Sequence, residues 1–496
     1  MVDHLEVRPG AYADSVSLMQ VSRRVSDVSG VIAALVAMGT ELNLDVLAGM
    51  GFDPPDAGTG DLVVAIRADD PDAVDAALDE LTAALAASSG GAATASFGDA
   101  PPPRTVRDAA VFGGDLALIS TPGDSAYVEA LDALRAGLHV MVFSDNVPVE
   151  QEVALKQEAD ERGLLVMGPD AGTAIVGGVG LGFANVVAPG PVGLVAASGT
   201  GAQHLTCLLD DAGVGVSHVL GVGGRDLKAT VGGRSTRQAL HALDADPATD
   251  LIVLLSKPPD EAVAAEVREL AAELTTPVVF GLLGPTEGDL TAVADTVISE
   301  LGRAAPPWAS WGERPASGAE DREPGGDRLV GLFSGGTLCS EALIIAQATL
   351  GEVRSNVTGD PDLKLTDEVT APGHVLIDLG EDEHTRGRPH PMIDQQLRLE
   401  RLAAEAAAPT TRVLLLDVVL GHGAHPDPAG ELAPAIAAAL AAAEQQGRPL
   451  DVVVSLCGTA GDPQDRDTQA RVLAEAGAYV AASNADAART AVAVIA

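Results

Sequence analysis

The 496-residue sequence predicts an α/β fold built from tandem doubly wound parallel-sheet domains, Rossmann-like and flavodoxin-like, with a small N-terminal α/β plait. Short apolar runs of strand length alternate with helical stretches along most of the chain, which is the pattern of parallel βαβ units. Hydrophobic residues make up 47% of the chain and aromatic residues only 2%. Cores filled by Ala, Val and Leu favour sheets covered by helices over an aromatic-rich sandwich.

Two stretches of linker composition indicate how the chain divides, since it is too long for a single hydrophobic core. Residues 88–103 are mostly small residues and prolines, and residues 304–327 are rich in Pro, Gly and charge. The predicted segments are an N-terminal plait (1–100), a Rossmann-like domain (104–190), a first flavodoxin-like domain (191–303), a linker (304–327) and a second flavodoxin-like domain (328–496).

Charge and cysteine content narrow the class of protein. The formal net charge of −41, from 71 acidic and 30 basic residues, opposes binding to nucleic acid or to anionic membranes. Cys207, Cys339 and Cys457 lie far apart without CxxC spacing, so neither a metal site nor a disulfide framework is indicated. No signal peptide is evident, and no apolar run approaches the roughly 18 residues of a membrane span. We expect a cytoplasmic protein without a nucleic-acid or membrane partner.

A glycine loop in the middle of the chain is the strongest local signal for ligand binding. The apolar run Gly193–Ala197 has the length of a buried parallel strand, and a helix is predicted over Gln203–Asp211. Four small residues lie between this strand and this helix: Ser198, Gly199, Thr200 and Gly201. Residues of this size let backbone N–H groups approach an anion at the positive end of the helix. The loop suits phosphate; the alternative is an ordinary tight turn between strand and helix.

A second glycine turn follows the next predicted strand of the same unit. It contains Gly223, Gly224, Arg225 and Asp226. The guanidinium of Arg225 can bind phosphate or carboxylate oxygens in a bidentate manner. We therefore predict this turn as part of the same anion site.

The second half of the chain contains what looks like a copy of this unit. The apolar run Val330–Phe333 leads into a second small-residue loop and a helix, and the loop consists of Ser334, Gly335, Gly336 and Thr337. Further on, Val413–Val418 parallels Leu251–Ser256, and Val452–Leu456 parallels Val278–Leu283. Matched positions in the same order predict an internal duplication whose two glycine loops face one cleft.

Four further side chains are candidate catalytic groups. Pro389 and Pro391 stiffen the loop that presents His390 beside Arg388 and Asp394, which suits binding and polarising a carboxylate or an acyl phosphate. The alternative is a solvated acidic loop with structural salt bridges. Lys257, one of four lysines in the chain, stands at the carboxyl end of a predicted strand, where α/β proteins bind ligands. A structural role for Lys257 is the open alternative.

The motifs of the chain resemble a known family. DALRAGLHVMVFSDNVP, LLVMGPDAGTA, VGLVAASGTG and LGVGGRDL are similar to the α-subunit of succinyl-CoA synthetase over about residues 104–300, which implies a CoA-binding-like domain at 104–190. Residues 386–496, from RGRPHPMID onward, resemble the carboxyl-terminal domain of its β-subunit. With YADSVSLMQVSRR, SKPP, SGGTLCSEA and LLLDVVLGHGA added, the chain resembles FdrA-family proteins over nearly its whole length. Within these motifs the resemblance adds substrate- or phosphate-binding candidates at Asp145, Asn146, Asp170 and Thr173.

The chain departs from the synthetases in ways that bear on chemistry. ADP-forming acyl-CoA synthetases carry a phosphorylated histidine in the loop after the strand equivalent to Val278–Leu283, and here that loop reads Gly-Pro-Thr-Glu-Gly at 284–288. A different unit stands at the N-terminus, and no stretch resembles an ATP-grasp domain. The resemblance to FdrA then implies a subunit of a carbamoyltransferase that splits oxalurate with phosphate into oxamate and carbamoyl phosphate. Phosphate is the expected co-substrate, CoA is the less favoured ligand, and companion subunits are expected.

Site roles follow from that reading. The glycine loops and Arg225 would hold phosphate, and Arg388 would hold the substrate carboxylate. Because a phosphate carrier must move, the stiff loop makes His390 a fixed general acid/base or oxyanion donor, with Asp394 as its orienting partner. Two alternatives remain: an ADP-forming acyl-CoA synthetase (succinate-CoA ligase-like) subunit that needs an ATP-grasp partner, and a non-catalytic scaffold or ligand-sensing subunit.

Overall fold

The computed structural model describes residues 1–11, 15–89, 103–284, 287–317, 327–365, 372–385 and 388–496. The first 89 residues form a three-stranded antiparallel sheet of order β1-β3-β2 with helices on its faces. Its elements are β1 (Val2–Arg8), α1 (Ser15–Ser26), β2 (Val31–Met38), α2 (Glu41–Gly49), β3 (Leu62–Ala68) and α3 (Pro71–Ser89). The central strand β3 is buried almost throughout, as its unbroken apolar sequence requires. The predicted N-terminal plait is confirmed.

A small parallel sheet of order β4-β5-β6 follows. Its elements are α4 (Val106–Ala110), β4 (Leu116–Ile119), α5 (Gly123–Arg135), β5 (His139–Val142), α6 (Val149–Arg162) and β6 (Val166–Met167). The next two strands, β7 (Thr173–Val176) and β8 (Val179–Gly182), form a hairpin around Gly177 and Gly178, which both have positive φ. This hairpin pairs with the following sheet, so it joins the two units.

The first flavodoxin-like lobe has a six-stranded sheet of order β12-β11-β9-β10-β7-β8, parallel from β12 to β10. Its further elements are β9 (Pro189–Ala197), α7 (Gly199–Asp211), β10 (Val216–Gly221), α8 (Arg234–Asp244), β11 (Leu251–Ser256), α9 (Glu261–Glu273), β12 (Val278–Leu282) and α10 (Leu290–Glu300). Strand β11 is fully buried, as a strand with helices on both faces must be.

The second lobe has a seven-stranded sheet of order β13-β19-β18-β17-β14-β16-β15. Its elements are β13 (Ser310–Trp311), β14 (Arg328–Phe333), α11 (Gly336–Leu350), β15 (Val353–Ser355), β16 (His374–Asp378), α12 (Asp382–Thr385), α13 (Gln396–Ala407), β17 (Thr411–Val419), α14 (Pro428–Gln445), β18 (Asp451–Cys457), α15 (Arg466–Glu475), β19 (Tyr479–Ala481) and α16 (Asn484–Ile495).

The segment predicted as a linker contributes to this second sheet. Ser310 and Trp311 pair antiparallel with β19 at the sheet edge, and Trp311 packs on the apolar core while the Arg466 guanidinium lies 5.5 Å from its ring centroid. The proline and glycine content predicted a linker without regular structure. Part of the segment is nevertheless ordered, because Trp311 buries its ring against the apolar core of the second lobe. Residues 318–326 of that segment lie outside the described residues, as do residues 90–102 of the first linker.

The duplication predicted from the sequence is confirmed by strand order. The series β12-β11-β9-β10 in the first lobe matches β18-β17-β14-β16 in the second, and a glycine loop follows the equivalent strands β9 and β14. One apolar cluster runs through both lobes, including Leu205 of α7, Leu338 of α11 and Val492 of α16. The two lobes therefore share a core. Among the described residues, no helix combines the length and apolarity needed to cross a bilayer.

Candidate active site between two helix N-termini

The two glycine loops meet at the boundary between the lobes. The hydroxyls of Ser198 and Thr337 share a buried hydrogen bond of 2.6 Å. A Cβ on Gly201 would lie 2.8 Å from Thr337 Cγ2, and a Cβ on Gly335 would lie 2.9 Å from Thr200 Oγ1. Glycine is therefore needed for the close approach of the helices. The N-termini of α7 and α11 face each other, as the duplication predicted.

The second loop keeps only part of its amide groups for a ligand. Asp417 Oδ1 accepts hydrogen bonds from the Ser334 amide (2.7 Å) and hydroxyl (2.9 Å), and Oδ2 accepts one from the Gly335 amide (2.8 Å). The prediction that all four loop residues bind an anion is thus wrong for the amides of Ser334 and Gly335. No side chain caps α11 within the described residues, so the amides of Gly336 and Thr337 remain available.

Asp417 is a structural brace that sequence reasoning missed. Its carboxylate is completely buried at the end of β17, and burial raises its pKa. Arg398 Nη1 donates to Oδ1 at 2.9 Å and Gln395 accepts from the same guanidinium, so the pair is satisfied inside the protein. The hydrogen bonds of Asp417 therefore fix the backbone of the second glycine loop next to the first loop.

The first loop is arranged differently. Ser198 caps α7 by accepting a hydrogen bond from the Gly201 amide at 3.1 Å. The amides of Gly199 and Thr200 precede that bond in the first turn of α7, where helix amides have no acceptor within the helix. Thr173 is buried in β7, and a Cβ on Gly199 would lie 3.5 Å from its Oγ1. The structure thus brings Thr173 to the first loop, and its role in substrate or phosphate binding stays a prediction.

Lys257 follows β11 in the first lobe, and its side chain reaches residues of the second lobe. Its Nζ lies 3.7 Å from Glu381 Oε1, and the side chain is 34% exposed. A Cβ on Gly336 would lie 2.7 Å from Nζ and 2.5 Å from Asp378 Oδ2. The ammonium group therefore stands beside the uncapped end of α11, and its catalytic role stays a prediction.

Asp378 is the second residue that the sequence did not single out. It ends β16, is 3% exposed, and its Oδ1 accepts a hydrogen bond from the Gly380 amide at 2.8 Å. Burial raises the pKa of its carboxyl to about 7, while the charge of Lys257 acts in the opposite direction. Near neutral pH both protonation states are populated, which suits an acid/base group.

His390 is held as a neutral imidazole. Its Nδ1 accepts a hydrogen bond from the Met392 amide at 3.2 Å, so the ring proton sits on Nε2. Burial, followed by the charge of Arg398, lowers the pKa of the imidazole to about 4. At neutral pH His390 is consequently a hydrogen-bond donor through Nε2.

The Nε2 atom of His390 points into a cluster of polar atoms around Gly380. A Cβ on Gly380 would lie 2.6 Å from His390 Nε2, 2.8 Å from the Ser334 carbonyl oxygen and 3.1 Å from Asp378 Oδ1. Phe183, from the first lobe, packs against the imidazole with ring centroids 5.9 Å apart. Residues of both lobes therefore contact His390, and its role at the site stays a prediction.

Two further predicted residues lie on the same loop. Asp394 Oδ1 accepts hydrogen bonds from Arg23 Nη1 (3.1 Å) and from the Gln396 amide (2.7 Å), so its carboxylate is turned toward the N-terminal domain. The prediction that the Asp394 carboxylate orients the His390 imidazole by direct contact is therefore not supported. Arg388 is exposed, and among the described residues its guanidinium makes no hydrogen bond; residues 386 and 387 beside it lie outside the described range. Its role as the substrate carboxylate ligand stays a prediction.

The turn after β10 is also structural. Asp226 is fully buried and accepts hydrogen bonds from Lys156 Nζ (2.8 Å), from the Thr236 amide (2.9 Å) and from the Thr236 hydroxyl (2.7 Å). Arg225 Nε lies 2.9 Å from Glu152 Oε2, and Nη2 donates to a backbone carbonyl of the preceding unit at 2.9 Å. These charges neutralise one another, which corrects the prediction that Arg225 and Asp226 bind phosphate.

The remaining predicted residues form a second group at the carboxyl edge of the small β4-β5-β6 sheet. Asn146 and Asp170 have φ of 53° and 57° at the turns that follow β5 and β6, and Asp145 is exposed beside them. A Cβ on Gly223 would lie 2.5 Å from the Pro169 carbonyl oxygen, whereas Gly224 has open space around it. The Gly223 turn thus packs onto this sheet, and its glycine serves packing.

The fold and the site define the class of protein. Two matched lobes that present two helix N-termini to one site make this an α/β protein of the CoA-ligase type, and a CoA-ligase family model matches residues 332–494. A relative in Escherichia coli (strain K12), the uncharacterized protein YahF, is 38% identical over 502 aligned residues that cover 96% of each chain. The chain belongs to the FdrA family of succinyl-CoA synthetase-like proteins.

More distant relatives cover parts of the chain. The α-subunit of succinate–CoA ligase (ADP-forming) from Methanothermobacter thermautotrophicus is 27% identical over 176 residues, which are 34% of this chain and 57% of that subunit. The dinucleotide-forming acetyl-coenzyme A synthetase 1 of Ca. Korarchaeum cryptofilum, solved with phosphate and ADP, aligns with 77% of this chain and 82% of its own at 17% identity and a TM-score of 0.29.

The N-terminal domain matches a family model described as AllF, heavy metal-associated domain, over residues 1–101. The sequence of this range contains no cysteine. Within the part of the chain that the structure describes, no group of three or more His, Cys, Asp or Glu side chains is arranged to hold a metal ion. The described residues of this domain therefore do not fit a heavy-metal site.

Proposed function

We propose that this chain is the catalytic subunit of a carbamoyltransferase-like enzyme that splits a ureide such as oxalurate with phosphate, giving oxamate and carbamoyl phosphate. The observation that carries the proposal is the position of Lys257 and Asp378 beside Gly336, at the uncapped N-terminus of α11 and next to the N-terminus of α7. A cation, a titratable carboxyl and two helix N-termini form an anion site with an acid/base group.

Phosphate would bind at the edge of the contact between the two helix N-termini, beside Lys257 and Gly336. The first-turn amides of α7, at Gly199 and Thr200, and those of α11, at Gly336 and Thr337, supply donors at the positive ends of both helices. Lys257 adds a positive charge from the first lobe. Binding of two faces of the anion by two lobes holds it in a single orientation for attack.

The transfer step balances with the groups at the site. An oxygen of hydrogen phosphate forms a bond to the carbamoyl carbon of the ureide, and the bond from that carbon to the oxamate nitrogen breaks. The electron pair goes to nitrogen, which takes a proton from the protonated Asp378 carboxyl. The proton of the phosphate then returns to the Asp378 carboxylate, whose pKa of about 7 allows both steps near neutral pH.

His390 would stabilise the charge that develops on the carbonyl oxygen. Its Nε2–H points into the cluster around Gly380, and its neutral state at pH 7 makes it a donor and not a base. A fixed donor aimed at a developing oxyanion is typically worth about 10²-fold or more in rate. The same fixed geometry opposes a role as a mobile phosphate carrier.

A second candidate function is an ADP-forming acyl-CoA synthetase subunit working with an ATP-grasp partner, which the CoA-ligase family match favours. It is the runner-up because the loop at 284–288 carries no histidine. Residues 285 and 286 of that loop lie outside the described residues. A scaffold or ligand-sensing role is the third reading.

The deciding experiment assays the purified chain, alone and with subunits from neighbouring genes, in two mixtures. The first contains oxalurate and phosphate and is analysed for oxamate and carbamoyl phosphate; the second contains succinate or related acids with ATP and CoA and is analysed for ADP and acyl-CoA. Phosphate-dependent oxamate release is the expected result. ADP and acyl-CoA formation with no oxamate would establish the synthetase function, and unchanged activity of the assembly after Lys257→Ala would indicate a scaffold.

A further inference from the structure

The N-terminal domain has a core of its own. Its three apolar clusters, centred on residues such as Val64, Leu47 and Val74, draw all their members among the described residues from the range 1–89. The rest of the chain shares its largest core between both lobes. A domain that shares no apolar cluster with its neighbours is held to them mainly through polar contacts.

Arg23, in the YADSVSLMQVSRR motif that the proposed function leaves unused, makes such contacts. It stands in the last turn of α1, where Nε lies 3.2 Å from Asp27 Oδ2. Its Nη1 donates to Asp394 Oδ1 at 3.1 Å, and its Nη2 donates to Glu431 Oε1. The side chains of Arg23, Asp394 and Glu431 are only 22%, 12% and 22% exposed, so these ion pairs are partly shielded from water.

Both acceptors of Arg23 belong to the support of the His390 loop. The amide of Asp394 donates to the His390 carbonyl oxygen at 3.1 Å, so Asp394 closes the turn that carries the imidazole. Glu431 lies in the first turn of α14, and His425 Nε2 is 3.4 Å from its Oε1. The His425 amide in turn donates to the Met392 carbonyl oxygen at 2.8 Å. The Arg23 guanidinium therefore links Asp394, in the turn that carries His390, to Glu431 at the start of α14.

We propose that the N-terminal domain docks onto the catalytic lobes through Arg23 and thereby fixes the loop that presents His390. In this arrangement Arg23 is a positioning residue, because it touches Asp394 and Glu431 and acts on His390 through them. The domain retains the fold of a metal-associated module but uses it as a clamp on the site. The structural part of this proposal is independent of the reaction; its catalytic part rests on the proposed function.

The test compares Arg23→Gln, Arg23→Lys and the matched control Arg24→Gln in the full chain. Arg24 is the neighbouring arginine and pairs with Glu80 inside the N-terminal domain at 2.6 Å, so its loss removes an ion pair of the same domain without crossing the interface. Amide hydrogen exchange is measured for the peptide that covers residues 388–396. We expect exchange about three- to tenfold faster in Arg23→Gln, wild-type exchange in Arg24→Gln and partial recovery in Arg23→Lys.

The activity readout separates positioning from a general loss of structure. In the oxalurate and phosphate assay, Arg23→Gln should lower kcat while leaving the KM for phosphate unchanged, because phosphate binds at α7 and α11. A wild-type chain that is inactive in this assay would count against the proposed function, whereas the exchange measurement would still decide the docking. Equal exchange at 388–396 in Arg23→Gln, Arg24→Gln and wild type overturns the inference.

Discussion

The substitution Gly336→Ala tests the site at its narrowest point. Its Cβ would lie 2.5 Å from Asp378 Oδ2 and 2.7 Å from Lys257 Nζ. Carbon and oxygen atoms in contact are normally separated by about 3.3 Å, so the carboxylate must retreat by about 0.8 Å. The lysine side chain is long and can swing away, but Asp378 is short and tethered by the Gly380 amide at 2.8 Å. The substitution therefore displaces the acid/base group.

The expected loss follows from that displacement. A misplacement of about 1 Å in a catalytic group can cost about 10²-fold in rate. We expect kcat/KM for phosphate-dependent oxamate release to fall by about 10- to 100-fold, which corresponds to about 1.4–2.7 kcal/mol of transition-state stabilisation. Overpacking at a buried contact typically costs about 1–3 kcal/mol, so a modest fall in Tm should accompany the kinetic loss. Steady-state kinetics and calorimetry on the same preparation measure both quantities.

A matched control is available in the N-terminal domain. Gly49 ends α2, and a Cβ there meets nothing within 4 Å, so Gly49→Ala makes a similar helix substitution in open space. It should leave both kcat/KM and Tm close to wild type. Wild-type kinetics in Gly336→Ala, with an unchanged Tm, would refute the idea that Asp378 and Lys257 act together at the end of α11.

Three further predictions follow from the same geometry. Lys257→Ala should lower turnover by about 10²-fold with little change in Tm, because the side chain is one-third exposed and stands at a ligand site, and kinetics with calorimetry will measure this. Burial raises the pKa of Asp378 to about 7, so the contribution of its protonated carboxyl to stability is complete below the unfolded value of 3.8 and is lost as pH rises through about 7. Asp378→Asn should therefore raise Tm more at pH 8 than at pH 5. The transfer rate of the wild type should fall above pH 7, where the carboxyl loses its proton. His390→Asn should reduce transfer to phosphate by about 10²-fold, and neither this variant nor the wild type should carry acid-labile phosphate after incubation with radiolabelled ATP.

Each of these three predictions would be contradicted by a specific result. Loss of folding in Lys257→Ala would assign the lysine a structural role, and Lys257→Arg serves as its charge-conserving control. A Tm difference for Asp378→Asn that is the same at pH 5 and pH 8 would mean that the carboxyl does not titrate in this range. Stoichiometric phosphohistidine that disappears in His390→Asn would restore the synthetase reading.

The sequence alone determined the features that depend on short-range pattern. Strand-length apolar runs, glycine loops and their repetition identified the parallel sheets and the duplicated lobes, because hydrophobic periodicity and φ/ψ constraints act within a few residues. Lys257 and His390 were singled out because lysine is scarce in this chain and because prolines bracket the histidine, and their catalytic roles stay predictions. In each case the chemical signal was visible in the residues themselves.

Only the tertiary structure decided how charged residues are paired. Among 71 acidic side chains, no local pattern distinguishes Asp378, which stands beside Lys257, from Asp417, which braces a loop against Arg398. Asp394 lies four residues from His390 in sequence but is bound by Arg23, 371 positions away. The role of a carboxylate depends on burial and on the nearest cation, and both arise from contacts between elements far apart in the chain.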